Sequence, residues 1–123
     1  MSDAEKIAGP AAASVFAQLM AVIEDRKRTM PPKSYTTSLF QGGSTKIGGK
    51  ITEEAREVVE AAHEPGDAGR AHLLYEAADL TYHLFVMLGH HGITLAELEG
   101  ELGRRFGLSG LEEKASRPPK ASE

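Results

Sequence analysis

The sequence predicts an all-α fold, a bundle of four to five helices, and three observations lead to this prediction. Apolar residues recur at helical spacing in several segments, no strand pattern is found, and glycine and proline pairs separate the segments. With 123 residues, 41% of them hydrophobic, the chain can build one core. We expect a single domain over residues 14–107, a flexible tail at residues 1–13 and a loosely ordered tail at residues 108–123.

The first helix is predicted from Ser14, a typical cap, to a basic end at Arg28, and Pro31-Pro32 stops it. Residues 34–41 allow two helical turns that Gly42-Gly43 closes. Residues 44–63 again have a helical period. Because Gly48-Gly49 costs about 1 kcal/mol per glycine relative to alanine, this helix is expected to begin nearer residue 52.

The turn signal Pro65-Gly66-Asp67 predicts an antiparallel hairpin between residues 44–63 and a central helix that ends at Gly92. This central segment is apolar around most of its circumference, which favours a place inside a bundle. In so small a chain, a partner subunit would help to bury the apolar faces. The motif Thr94-x-x-Glu97 is a capping box for a last helix, which Gly107 closes.

Five carboxylates are predicted to converge where the two helices of the hairpin face each other. They are Glu53, Glu54, Glu57, Glu76 and Asp79. Carboxylates on the polar strip of a buried helix are costly unless a cation faces them, and hard divalent cations take oxygen ligands. Lys46 and Lys50 precede the acidic run by one to two turns and are candidates for binding phosphate. The pattern indicates metal-assisted chemistry on a phosphorylated substrate.

Composition narrows the function further. A net charge of −4 gives no broad cationic field for nucleic acid, and neither an export signal nor a membrane span is found. The chain has no cysteine, which agrees with a reducing compartment, so we expect a cytoplasmic location.

Two motifs resemble those of a known family. EExxE at residues 53–57, followed by ExxD at residues 76–79, is similar to the signature of the all-α, MazG-like nucleotide pyrophosphohydrolases. The longer stretches SYTTSLFQGGSTKIGGKITEEAREVVEAA and YEAADLTYHLFVMLGHHGITLAELEGELGRR resemble the phosphoribosyl-ATP pyrophosphohydrolases of histidine biosynthesis, over about residues 34–105.

The resemblance implies a MazG-like homodimer that hydrolyses 1-(5-phosphoribosyl)-ATP to 1-(5-phosphoribosyl)-AMP and pyrophosphate with Mg²⁺, or with Mn²⁺ as a substitute. By matching motif positions, the five carboxylates would hold metal ions and orient or deprotonate the attacking water. His83 is interpreted as a hydrogen-bonded histidine behind the site, and Tyr35 as either a core anchor or a substrate contact.

Other interpretations stay open. The acidic residues can form a solvated helix face, or Glu76 and Asp79 can pair with Lys46, Lys50 or Arg56. Lys46 and Lys50 can also pair with Glu53 or Glu54 instead of binding phosphate. Glu60-x-x-His63 has the spacing of di-iron carboxylate sites, although Glu76 is followed at i+3 by aspartate rather than histidine. A house-cleaning nucleoside triphosphate pyrophosphohydrolase and a non-catalytic helical dimer module remain alternative functions.

Overall fold

The computed structural model describes residues 14–107, and these residues form helices with no strand among them. The helices are α1 (Val15–Thr29), α2 (Tyr35–Ala61), α3 (Gly66–His90) and α4 (Leu95–Phe106). The all-α prediction is therefore confirmed. The tails predicted at residues 1–13 and 108–123 lie outside the described residues. No helix of the described part is both long enough and apolar enough to cross a membrane.

Helix α2 consists of two arms that meet at Gly43, whose φ of 71° and ψ of −169° are not helical. Residues 35–42, the first arm, meet α3 through Tyr35 with His83 and through Phe40 with His90. In each of these contacts, the residue of α3 lies about 50 positions after its partner in the chain. The separation stays nearly constant, so this arm runs parallel to α3. The prediction that the glycine pair closes a short helix is confirmed.

The second arm of α2, residues 44–61, runs antiparallel to α3, as the hairpin prediction requires. Ser44 hydrogen-bonds His91 near one end, and Glu54 approaches Glu76 nearer the turn. The arm is helical from its start, so the expected beginning near residue 52 is wrong. Burial of the Ile47 side chain against the rest of the core outweighs the cost of the two glycines at positions 48 and 49.

The chain divides into two compact units, one ending at Gly92 and the other beginning at Ile93. In the first unit, α1, both arms of α2 and α3 enclose an apolar core. Its buried members are Met20, Ile23, Leu39, Phe40, Ile47, Ala61, Phe85 and Val86. This core fixes the face of α3 that meets the second arm of α2, and the acidic residues lie along that contact.

The helix ends follow the predicted signals. The Ser14 hydroxyl accepts a hydrogen bond from the Ala17 amide at the start of α1. In the second unit, Thr94 and Glu97 form the predicted capping box of α4, and Gly107 ends this helix in the left-handed conformation.

Candidate active site

Three carboxylates from two helices meet at one point of the first unit. Glu54 lies on the second arm of α2, and Glu76 and Asp79 lie one turn apart on α3. One oxygen of each falls within 4.8 Å of the other two. Glu54 and Glu76 are buried, with exposed fractions of 6% and 7%, and Asp79 is half-buried. Carboxylates so close together and so poorly hydrated repel one another unless a positive charge joins them.

Among the described residues, no lysine or arginine forms an ion pair with these three carboxylates. Lys50 lies 3.5 Å from Glu53, and Arg56 lies 3.8 Å from Glu60. The Oε1 atoms of Glu54 and Glu76 are buried, and neither has a hydrogen-bond partner among residues 14–107. Buried oxygens without a partner are rare in folded proteins and mark a place where another group belongs.

The crowding of these acids shifts their proton affinities. Burial raises the pKa of Glu54 to about 7, and the neighbouring carboxylates of Glu76, Asp79 and Glu57 add to the increase. Contact with Glu76 raises the pKa of Glu57. The pKa of Glu76 itself is lowered, chiefly by its contact with Glu54. At neutral pH, a metal-free cluster therefore keeps a proton on Glu54 in a large fraction of molecules.

A tyrosine and a histidine form a hydrogen-bonded pair beside the cluster. His83 is buried, and its Nδ1 lies 3.0 Å from the backbone carbonyl oxygen of Asp79. Since a carbonyl only accepts, Nδ1 carries the proton, and in the neutral ring Nε2 accepts a 2.9 Å hydrogen bond from the Tyr35 hydroxyl. Burial lowers the pKa of His83, which favours this neutral ring. Tyr35 remains 51% exposed, so it lines the edge of the site rather than the core.

A second histidine contacts the cluster directly and was not expected to take part. His72 Nε2 lies 3.0 Å from Glu76 Oε2, and its Nδ1 lies 2.9 Å from Glu64 Oε1. The signal was present in the sequence, because His72 precedes Glu76 by four residues and such residues are neighbours on a helix surface. Its partner Glu64 lies in the turn before α3, which periodicity does not reveal.

A family model and individual proteins of known name both match this chain and point to one family. Residues 16–106 match the family described as phosphoribosyl-ATP pyrophosphohydrolase. The chain is 53% identical over 103 residues to a protein of Rhodopirellula baltica named phosphoribosyl-ATP pyrophosphatase. This match covers 84% of this chain and 86% of that protein. Proteins of the same name from Geobacter sulfurreducens and Methylococcus capsulatus are 52% and 48% identical; these matches cover 78% and 84% of this chain, and 86% and 95% of those proteins.

The chain belongs to the phosphoribosyl-ATP pyrophosphohydrolase family. The predictions of the family, of a MazG-like all-α fold and of an enzyme of the hydrolase class are confirmed. A solvated helix face does not describe Glu54 and Glu76, because both side chains are buried.

The structure does not bring all five predicted carboxylates together equally in this member of the family. Glu57 contacts Glu76 at the edge of the cluster of Glu54, Glu76 and Asp79. Glu53 is half-buried and pairs with Lys50 instead.

The two predicted phosphate-binding lysines also differ in position. Lys50 lies beside the cluster, where the Tyr35 phenol and the Glu53 carboxylate raise its pKa and keep it positively charged. Lys46 is exposed, and its ammonium group lies 3.4 Å from the Ser38 carbonyl. Of the two, Lys50 is the one next to the acids.

The cluster fits a hard divalent cation. Mg²⁺ binds oxygen ligands at about 2.1 Å in an octahedron, so two ligands of one ion lie at most about 4.2 Å apart. One oxygen of each carboxylate lies within 4.8 Å of the other two, so at most a small contraction would bring the three to this spacing. The two Oε1 atoms without a partner are the acceptors that such an ion would use. The alternative pair at residues 60 and 63 lacks this arrangement, because Glu60 pairs with Arg56 and His63 hydrogen-bonds the Val59 carbonyl.

Proposed function

We propose that this chain hydrolyses 1-(5-phosphoribosyl)-ATP between its α and β phosphates, releasing pyrophosphate and 1-(5-phosphoribosyl)-AMP for histidine biosynthesis. The reaction uses Mg²⁺, with Mn²⁺ as a possible substitute, held by Glu54, Glu76 and Asp79. The observation that carries the proposal is the buried acidic cluster, in which two oxygens lack a hydrogen-bond partner within the described part of the chain. The chain matches this family over residues 16–106.

In this proposal, the side chains around the cluster have different roles in the reaction. Bound divalent cations polarise phosphate oxygens and lower the pKa of a coordinated water molecule. The contact of Glu57 with Glu76 supports a role for Glu57 as a metal ligand or as the acceptor of a proton from the attacking water. The Lys50 ammonium binds a phosphate oxygen of the substrate. Before substrate binds, this ammonium lies 3.5 Å from the Glu53 carboxylate. The ring of Tyr35 is exposed and its hydroxyl hydrogen-bonds His83, which supports a role for Tyr35 in contacting the substrate.

Activity assays test this proposal directly. Purified protein is offered phosphoribosyl-ATP, ATP and dUTP with Mg²⁺, and pyrophosphate release is measured. We expect rapid turnover of the first substrate alone. Comparable turnover of ATP or dUTP would instead favour a house-cleaning pyrophosphohydrolase, and no turnover of any substrate would favour a non-catalytic module.

Matched variants test the metal-binding residues. Glu54→Gln and Asp79→Asn keep side-chain size but remove an ionic ligand, so we expect losses of at least 100-fold, or about 3 kcal/mol in the activation barrier. Glu60→Gln is the control, because Glu60 is exposed on the same helix and contacts Arg56 rather than the cluster. Equal losses in the control and in the site variants would show that the cluster is not the catalytic centre.

Homodimerisation is part of the proposal because α1 and α3 carry an apolar groove on the surface of the first unit. It is lined by Val15, Phe16, Leu19, Leu74, Ala77, Ala78 and Thr81. Leu74 is 72% exposed and Val15 is 71% exposed, although soluble monomers rarely leave such patches uncovered. A second copy of this chain is the occupant we propose, since a two-fold contact pairs the same apolar patch with itself.

Light scattering on the purified chain tests the dimer. We expect twice the mass of one chain, and we expect Leu74→Glu to give monomers because it would bury two unpaired charges. Glu99→Gln, at an exposed position of α4, serves as a control. A monomeric mass for the unmodified chain would overturn this part of the proposal.

The proposal also includes a cytoplasmic location, which agrees with the absence of cysteine from the sequence.

A further inference from the structure

The hydrogen bonds of Glu76 distinguish it from the other two carboxylates of the cluster. Among the described residues, His72 donates to Glu76 Oε2, whereas Glu76 Oε1 is buried without a partner. One oxygen of Glu76 is therefore held by a hydrogen bond, and the other has no hydrogen bond among the described residues. The exposed fraction of the Glu76 side chain is 9%, so water does little to orient it.

His72 is in turn held from its other side. Its Nδ1 lies 2.9 Å and 3.0 Å from the two carboxylate oxygens of Glu64. Glu64 belongs to the turn before α3, and this turn packs tightly on the helix. A Cβ added to Gly69 would lie only 2.2 Å from the Glu64 carbonyl oxygen. The backbone that carries Glu64 therefore lies directly against α3, at the start of the row of hydrogen bonds from Glu64 through His72 to Glu76.

We propose that His72 is a positioning residue for the metal site: anchored by Glu64, it holds Glu76 Oε2 and so presents Glu76 Oε1 to the cation. The inference rests on the proposed function, in that it needs the cluster to bind a divalent ion. A glutamate side chain has several rotamers, and fixing one of them before binding removes an entropic cost from the binding step. Partners of this kind behind a ligand are worth about 10- to 100-fold in metal affinity.

Direct Mn²⁺ binding to the substrate-free protein tests this role. The dissociation constant is measured by calorimetry for the unmodified chain, for His72→Phe and for Glu64→Gln. We expect His72→Phe to weaken binding about 10- to 100-fold. Glu64→Gln should weaken it less, and the double variant should match His72→Phe because Glu64 acts through the histidine. His63→Phe is the matched control, since His63 is exposed and hydrogen-bonds only its own helix at Val59 among the described residues.

The opposite outcomes are equally definite. If His72 merely neutralised the acids, its removal would tighten Mn²⁺ binding, because one competing positive charge would be lost. If its role were only structural, the melting temperature in chelator would fall while the dissociation constant stayed unchanged. Either result overturns the inference and leaves the proposed function intact. If Mn²⁺ does not bind the unmodified chain at all, the proposed metal site fails and the inference fails with it.

Discussion

Replacing Glu54 with glutamine should stabilise the metal-free protein at alkaline pH while removing its response to metal. Glu54 is 6% exposed, and its surroundings raise its pKa from 4.5 to about 7. A raised pKa means that the folded state binds the proton more tightly than the unfolded state does. The ionised carboxylate therefore destabilises the folded state, fully above pH 7 and progressively less as the pH falls toward 4.5.

The size of this effect follows from the pKa. Each unit corresponds to 1.36 kcal/mol, so the full shift would be worth about 3 kcal/mol. The lowered pKa of Glu76, which has its contact with Glu54 as the main cause, offsets part of this energy, and water at the open side of the cluster reduces it further. We therefore expect Glu54→Gln to gain about 1–2 kcal/mol at pH 8. At pH 5 the gain should be less than half as large, because Glu54 is then mostly protonated in the folded state.

Urea unfolding in the presence of a chelator measures these free energies at pH 8 and pH 5, with Glu60→Gln as the control for a surface substitution. A parallel series with Mg²⁺ should stabilise the unmodified chain by about 1.4 kcal/mol at ten times its dissociation constant, and Glu54→Gln much less. A Glu54→Gln variant that is no more stable than the unmodified chain at pH 8 in chelator would refute the reasoning. It would mean that the carboxylates do not strain the metal-free fold.

Two further substitutions test how the fold is held. Gly43→Ala should lower the free energy of unfolding in urea by about 1–3 kcal/mol, because φ 71° with ψ −169° suits glycine almost alone. The control Gly49→Ala, on an open helix surface, should raise it by about 0.5–1 kcal/mol. Lys27→Met should cost about 1 kcal/mol in the same assay, because the Lys27 ammonium donates hydrogen bonds to the carbonyls of Gly89 and His90 at the end of α3; an unchanged midpoint would show that this cap adds nothing.

Local signals in the sequence were enough for most helix ends. Ser14, Thr94 with Glu97, and Gly107 act over three or four residues, and the structure confirms each of them. The beginning of the second arm of α2 was predicted wrongly. Glycine propensity is a local cost of about 1 kcal/mol per residue, and the tertiary packing of Ile47 outweighs it.

The candidate site shows the same division. Helical spacing and the turn at residues 65–67 were sufficient to predict that acids of two helices converge. They left open whether Lys50 pairs with Glu53, because each of the two residues is close along the helix to several other charges. They also missed the contact of His72 with Glu64, since one of these residues lies in a turn whose path only the fold determines.

The sequence by itself determined an all-α chain, the positions of its acidic motifs and the family to which it belongs, because each of these depends on residue type and on spacing along the chain. The tertiary structure decided which oxygens are buried without a partner, which acids pair with a base, and how the two arms of α2 run in opposite directions along α3. Those properties depend on distances through space, which the backbone reversal at Gly43 and the packing of the core establish.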